Sequence, residues 1–162
     1  MRNLIRLMSF MIILAILAGL LSCSSDGGDG GSESSSLSPY LPAEFSGKSI
    51  DAFYVKSESG DYPSEGVRNY SGTYTYYFFS DHTWIMTVAA EWTQNGQKMT
   101  PKFKIYEGTF TKTGTYTNGR IQCNTTETNN PQLFCMPMPQ APFTLNVTAG
   151  KFTIQSYTFE KQ

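Results

Sequence analysis

The sequence predicts an all-β domain: an antiparallel meander of about seven or eight strands closing into a small barrel, with a two-sheet sandwich as runner-up. Three observations carry the prediction. Apolar and polar residues alternate with a period of two, turn residues recur at hairpin spacing, and no stretch after Leu21 shows convincing helical periodicity.

Strands are expected at about 47–56, 70–80, 83–93, 97–112, 119–124, 142–148 and 151–160. Trp84, Met86, Val88, Ala90 and Trp92 share one parity, opposite Thr87, Glu91 and Thr93. Phe103 and Ile105 alternate with Lys102 and Lys104, and Phe143, Leu145 and Val147 with Thr144, Asn146 and Thr148. Threonine, tyrosine and phenylalanine fill these runs, which suits a pleated surface. Ser80-Asp81-His82 divides two of them. Asn95-Gly96 and Asn118-Gly119 are two-residue hairpin signals, because both central positions of a type I′ turn need positive φ. Ala149-Gly150-Lys151 joins the last two runs. Gly108 falls where apolar parity slips from Phe103/Ile105 to Phe110, so a β-bulge is expected there.

Ahead of this domain lies a targeting pattern. Arg2 and Arg6 form a basic n-region, and Leu7 to Leu21 an apolar core of about 15 residues, short of the roughly 20 that span a bilayer. Leu20-Leu21-Ser22-Cys23 resembles the bacterial lipobox: aliphatic at −3, small at −1, then cysteine. The resemblance implies that residues 1–22 are a lipoprotein signal peptide and that Cys23 is the lipidated N-terminus, carrying diacylglycerol and a further acyl chain such as palmitate. Several acyl chains anchor far more firmly than one, at about 0.8 kcal/mol per buried CH₂. Residues 23–44 then read as the lipidated cysteine and a flexible Ser/Gly/Asp tether, and residues 45–162 as the β-barrel domain. Acidic Gly/Ser sequence after the cysteine is similar to surface-export signals of some Bacteroidota and spirochaete lipoproteins. The lack of Asp directly after Cys23 is similar to outer-membrane retention. The location implied is the outer membrane, periplasm-facing or at the cell surface.

Composition narrows the partners. The chain has 12 Lys/Arg against 13 Asp/Glu, and loss of Arg2 and Arg6 leaves ten against 13, a mature balance of −3. No basic run appears, so nucleic acid is not an expected partner. His82 is the sole histidine and adjoins Ser80 and Asp81. Neighbouring turn residues cannot converge as a catalytic triad, whose members come from different segments. One histidine does not make a zinc site, and Ser57 to Gly66 lacks the spacing of a calcium loop, leaving Glu58, Asp61 and Glu65 as a solvated acidic group. No cofactor motif is present and no enzymatic activity is expected. Cys123 and Cys135 remain as an even pair in an oxidising compartment, which favours a disulfide over two buried free thiols. "CMPMPQAP" holds three prolines and cannot be a central strand. It reads as a strap or an exposed loop with Met136 and Met138 at its tips.

"YTYYFFSDHTWIMT" and "YEGTFTKTGTY" resemble small lipocalin-like or calycin-like lipoproteins, in which an F-x-S-D-G-T-W hairpin precedes a Y-x-G-x-Y/F strand. His82 stands where that pattern carries glycine, and the G-x-W signature near the first strand is missing. The resemblance implies a barrel, and strand parity gives its inward set as Trp84, Met86, Val88, Trp92, Phe103, Ile105, Phe143, Leu145 and Val147. Two functions then compete. A filled barrel would engage a protein through loops and outer aromatics, with Tyr74, Tyr76, Tyr77, Met136 and Met138 as contact surface. A hollow one would carry a small apolar ligand, as lipocalins do. A purely structural envelope role is the third. Two tryptophans on one face of a short domain favour the filled interior.

Overall fold

In the computed structural model, which describes residues 37–63, 66–128 and 142–162, nine strands form one antiparallel sheet among the described residues. They are β1 (Ile50–Tyr62), β2 (Val67–Phe79), β3 (Thr83–Gln94), β4 (Gln97–Met99), β5 (Lys102–Gly114), β6 (Gly119–Thr128), β7 (Phe143–Val147), β8 (Lys151–Ile154) and β9 (Tyr157–Lys161). The spatial order is β7-β6-β5-β3-β2-β1-β9-β8, with β4 folded onto the end of β3. β7 and β8, at the two ends of this order, meet through the turn that joins them, where Thr148 bridges Lys151. The sheet is thus nearly closed into a barrel, the all-β architecture the alternation predicts.

Turn chemistry explains most of the connections. Asn95 and Gly96 both have positive φ (51° and 78°), as a type I′ hairpin demands. The same signature recurs at Ala149 and Gly150 (51° and 74°). Asn118-Gly119 behaves differently: Gly119 pairs with Gly114 as a strand residue, and the loop is Thr115 to Asn118, closed by the Thr115 N–H donating to the Asn118 carbonyl at 3.0 Å. Two expected strands are each split. Thr100 and Pro101 separate β4 from β5, since proline removes a ladder donor, and Gln155-Ser156, with Gln155 at φ 54°, separates β8 from β9.

The parity slip on β5 is real and the strand is irregular on both sides: Ile105 is the extra residue against β3, and the ladder with β6 slips at Gly108, between Glu107 and Gly108. Met86 pairs Tyr106 and Thr87 pairs Lys104, so Ile105 has no opposite number. Gly108 has another purpose. A Cβ there would lie 1.9 Å from the Asn124 carbonyl oxygen and 2.7 Å from Trp84 Nε1. The missing side chain lets the Trp84 indole cross β5 and donate to that carbonyl at 3.2 Å.

β2 and β3 are buried on both faces. The inner face joins the barrel core. The outer face carries a second cluster of Tyr77, Phe79 and Ile85, capped by Phe45 with Leu41 and Phe53 beside it. Phe45 closes a 3₁₀ turn, Ala43–Phe45, and stacks on Phe79 at 5.6 Å. Lys48 seals this edge, its ammonium 5.3 Å and 5.4 Å from the Phe45 and Phe79 ring centres while donating to Asp81 and Thr83 at 2.7 and 2.9 Å. The Tyr40 carbonyl accepts from the Thr87 hydroxyl at 2.7 Å. Residues from Tyr40 onward therefore belong to the folded domain, a few positions before the expected boundary at 45.

Candidate binding site

The barrel interior is built from rings. Tyr76 stacks on Trp84 at 5.8 Å and meets Phe152 and Phe159 edge-on at 5.5 and 5.0 Å. Phe152 and Phe159 stack at 5.1 Å, Tyr54 leans on Phe152 at 4.9 Å, Phe78 meets Phe110 at 5.1 Å, and Trp84 meets Phe143 at 5.6 Å. Such separations are those of favourable aromatic pairs. Of the residues expected to line the barrel, Trp84, Met86, Val88, Trp92, Phe143, Leu145 and Val147 are buried in this core, and Phe103 and Ile105 pack half-buried against it.

Three expected contact residues are corrected. Tyr74, Tyr76 and Tyr77 are all buried. Tyr74 and Tyr76 have the inward parity of β2, and Tyr77 faces outward but lies in the outer cluster beneath Phe45 and Leu41. A strand covered on both faces reads as a continuous aromatic run, and nothing in that run says which rings are covered. Met136, Met138, Cys135 and Cys23 lie outside the described residues. Among the described residues Cys123 is a free, buried thiol, and the partner expected for it, Cys135, lies outside them. Inward parity on β6 places it with Ile121 in the barrel core, and burial pushes its pKa up.

At one end of the barrel the lining turns polar. Lys56 and Glu58, on the inward parity of β1, pair at 3.5 Å with only 19% of each side chain exposed. The Tyr74 hydroxyl donates to Glu58 Oε1 at 3.1 Å, and the Tyr70 hydroxyl lies 2.7 Å from that of Tyr74. Hydrogens therefore run from Tyr70 through Tyr74 to the carboxylate. Lys56 also sits 5.1 Å from the centre of the Tyr157 ring. Gly72 makes this arrangement possible, since a Cβ there would fall 2.3 Å from the Tyr70 hydroxyl. Burial holds both hydroxyls far above the ordinary tyrosine range, with Tyr70 and then Glu58 adding to it at Tyr74, and Glu58 at Tyr70. Such a relay, with its carboxylate already balanced by lysine, is suited to positioning rather than proton transfer. Sequence reading missed it; the only signal was Lys-x-Glu at strand spacing opposite tyrosines.

Beside this polar end, β1 and β9 part company. They pair at Tyr54–Lys161 and Val55–Glu160 and then diverge. Between them lies an open groove of about 480 Å³, lined by Val55, Lys56 and Ser57 on one wall and Ser156, Thr158, Glu160 and Gln162 on the other. Among the described residues no group of three or more His, Cys, Asp or Glu side chains is placed to hold a metal ion. In comparisons with family models, curated proteins and solved structures, the chain matches none of them.

Proposed function

We propose that this chain is a lipid-anchored outer-membrane lipoprotein of lipocalin-like or calycin-like type, a non-enzymatic interaction module that recognises its partner at the barrel surface. The anchoring half of this reading rests on the order of n-region, apolar core, Leu20-Leu21-Ser22-Cys23 and polar tether. The recognition half rests on one observation, the ring packing inside the barrel. A carrier of small apolar ligands works through a cavity of roughly 300–1,000 Å³ lined by apolar groups. Here the corresponding volume holds Tyr54, Tyr76, Phe78, Trp84, Phe152 and Phe159, each at most 2% exposed. Partner contact then falls to the groove and polar end rather than to Tyr74, Tyr76 and Tyr77.

The experiment is mass spectrometry of the native protein combined with ligand titration. The mature N-terminus is expected at Cys23 with acyl mass, and fatty acids, retinoids and haem are expected to leave tryptophan emission unchanged. An unlipidated N-terminus elsewhere would overturn the anchoring. Saturable quenching, with a lipid co-purifying near stoichiometry, would replace surface recognition with the carrier function.

A further inference from the structure

We propose that the cleft between β1 and β9 is a strand-addition site that takes an extended segment of another polypeptide. The proposal deepens the surface-recognition reading and rests on it.

Hydrogen-bond alternation shows which backbone groups face the cleft. In an antiparallel ladder, each residue of a hydrogen-bonded pair turns both its N–H and its C=O to the same neighbour. The Gln162 N–H donates to the Phe53 carbonyl at 3.1 Å, so Phe53 and Gln162 face each other. The Lys161 N–H donates instead to the Gly150 carbonyl at 2.8 Å, away from β1. By alternation Val55, Ser57 and Ser59 turn their amides toward β9, and Glu160 and Thr158 turn theirs toward β1. Val55 and Glu160 are paired with each other. Among the described residues, β1 beyond Val55 pairs with β2 alone. Ser57 and Thr158 therefore present main-chain donors and acceptors to the groove, and Ser59 to the same edge beyond it; all three are exposed.

Unpaired strand edges that face each other across a groove provide the hydrogen bonds that β-strand addition uses for affinity. The occupant is a single extended peptide rather than a second copy of this barrel. The available edge is recessed behind each molecule's own β9, so two such edges cannot approach, whereas one strand with no sheet behind it can enter. The outward side chains along the cleft are Val55, Ser57 and Thr158; Lys56 also lines it, and Glu160 at its inner end is already paired with Lys151. Small β-branched or hydroxyl side chains complement that lining of valine, serine and threonine.

The test uses the full chain in detergent micelles and a fluorescent peptide of sequence Lys-Thr-Val-Thr-Val-Thr-Lys. A second peptide is N-methylated at alternate residues, in both phases, to remove its edge hydrogen bonds. Anisotropy is expected to show saturable binding, weakened about tenfold or more by N-methylation and likewise by Ser57→Pro, which deletes a cleft-facing N–H but no β2 ladder bond. Hydrogen exchange at Ser57, Ser59 and Thr158 is expected to be fast in the free protein and slow with peptide bound. Equal binding of methylated and unmethylated peptides would overturn the proposal, as would no binding up to about 1 mM. Protection of those amides without peptide would also overturn it: concentration-dependent protection would assign the edge to a second copy, and concentration-independent protection to the chain itself. None of these failures touches Cys23 lipidation or the ligand titration, so the broader reading is tested separately.

Discussion

Two residues show how single positions are constrained by what crosses them. Trp84 and Gly108 lie opposite each other in the β3–β5 register, so the tryptophan of "SDHTW" and the glycine of "YEGTF" form one contact. Gly108→Ala drives a Cβ into the Asn124 carbonyl and the indole, and overpacking against backbone is expected to cost about 3 kcal/mol. A lower urea midpoint with unchanged m-value checks this. His82 has φ 62°, a left-handed backbone conformation that glycine adopts at least cost. Its carbonyl accepts from the Phe110 N–H at 2.9 Å and its ring meets Phe110 edge-on at 5.8 Å. His82→Val is expected to cost about 1–2 kcal/mol. His82→Gly, which relieves the backbone but loses the ring contact and adds chain entropy, is expected to stay within about 0.5 kcal/mol of the parent. Thermal melts of the two variants distinguish a conformational constraint from a requirement for imidazole.

Among the elements, the segment from Tyr40 through the 3₁₀ turn Ala43–Phe45, a strap over β2 and β3, decides whether their outer face is core or surface. Burial against this strap and its neighbours pushes Tyr77 up to about 12. Phe45→Ala removes the cap from Phe79 and Ile85 and is expected to cost about 3–5 kcal/mol, the usual penalty for a deleted core ring. If the fold survives, the Tyr77 titration should fall toward 10 as its ring gains water, which an ultraviolet pH titration detects. An unchanged Tyr77 would show that the strap is not what keeps it dry. The Lys48–Asp81 pair adds less. Donation from Lys48 and Thr83 lowers Asp81 to about 2, but half of the Asp81 side chain is exposed, so solvent screens most of its worth.

For the whole molecule, the consequence of an aromatic interior is alkaline sensitivity. Tyr54 is pushed up to about 12 by burial, Tyr70 and Tyr74 stand higher still, and burial raises Tyr76 well above the ordinary tyrosine value. A group whose pKa is raised on folding stabilises the native state fully below its unfolded value, here about 10, and that stabilisation is lost as pH rises through the folded value. The buried tyrosines are therefore expected to ionise together with loss of the β-sheet circular dichroism signal, above pH 10. Stepwise ionisation of all ten tyrosines with the sheet signal intact would contradict a packed interior.

What the sequence by itself determined is whatever depends on neighbours along the chain. Period-two alternation set the strand class and the inward set on β3 and β7, and Asn95-Gly96 set its turn, because pleat and backbone φ are local properties. The tertiary structure alone decided which side of each strand is covered, and by what. The run from Tyr74 to Phe79 offers rings to both faces, so only the strap at Phe45 on one side and Phe152 and Phe159 on the other reveal that none of them is exposed. Cys123 has the same lesson: its inward position on β6, beside Ile121 in the core, depends on the register with β5 and β7. The glycine at position 108 was legible as an irregularity, but its cause, an indole arriving from another strand, was not. The opening between β1 and β9 lies furthest from the sequence, since where two strands stop pairing depends on barrel closure and on no residue in either strand alone.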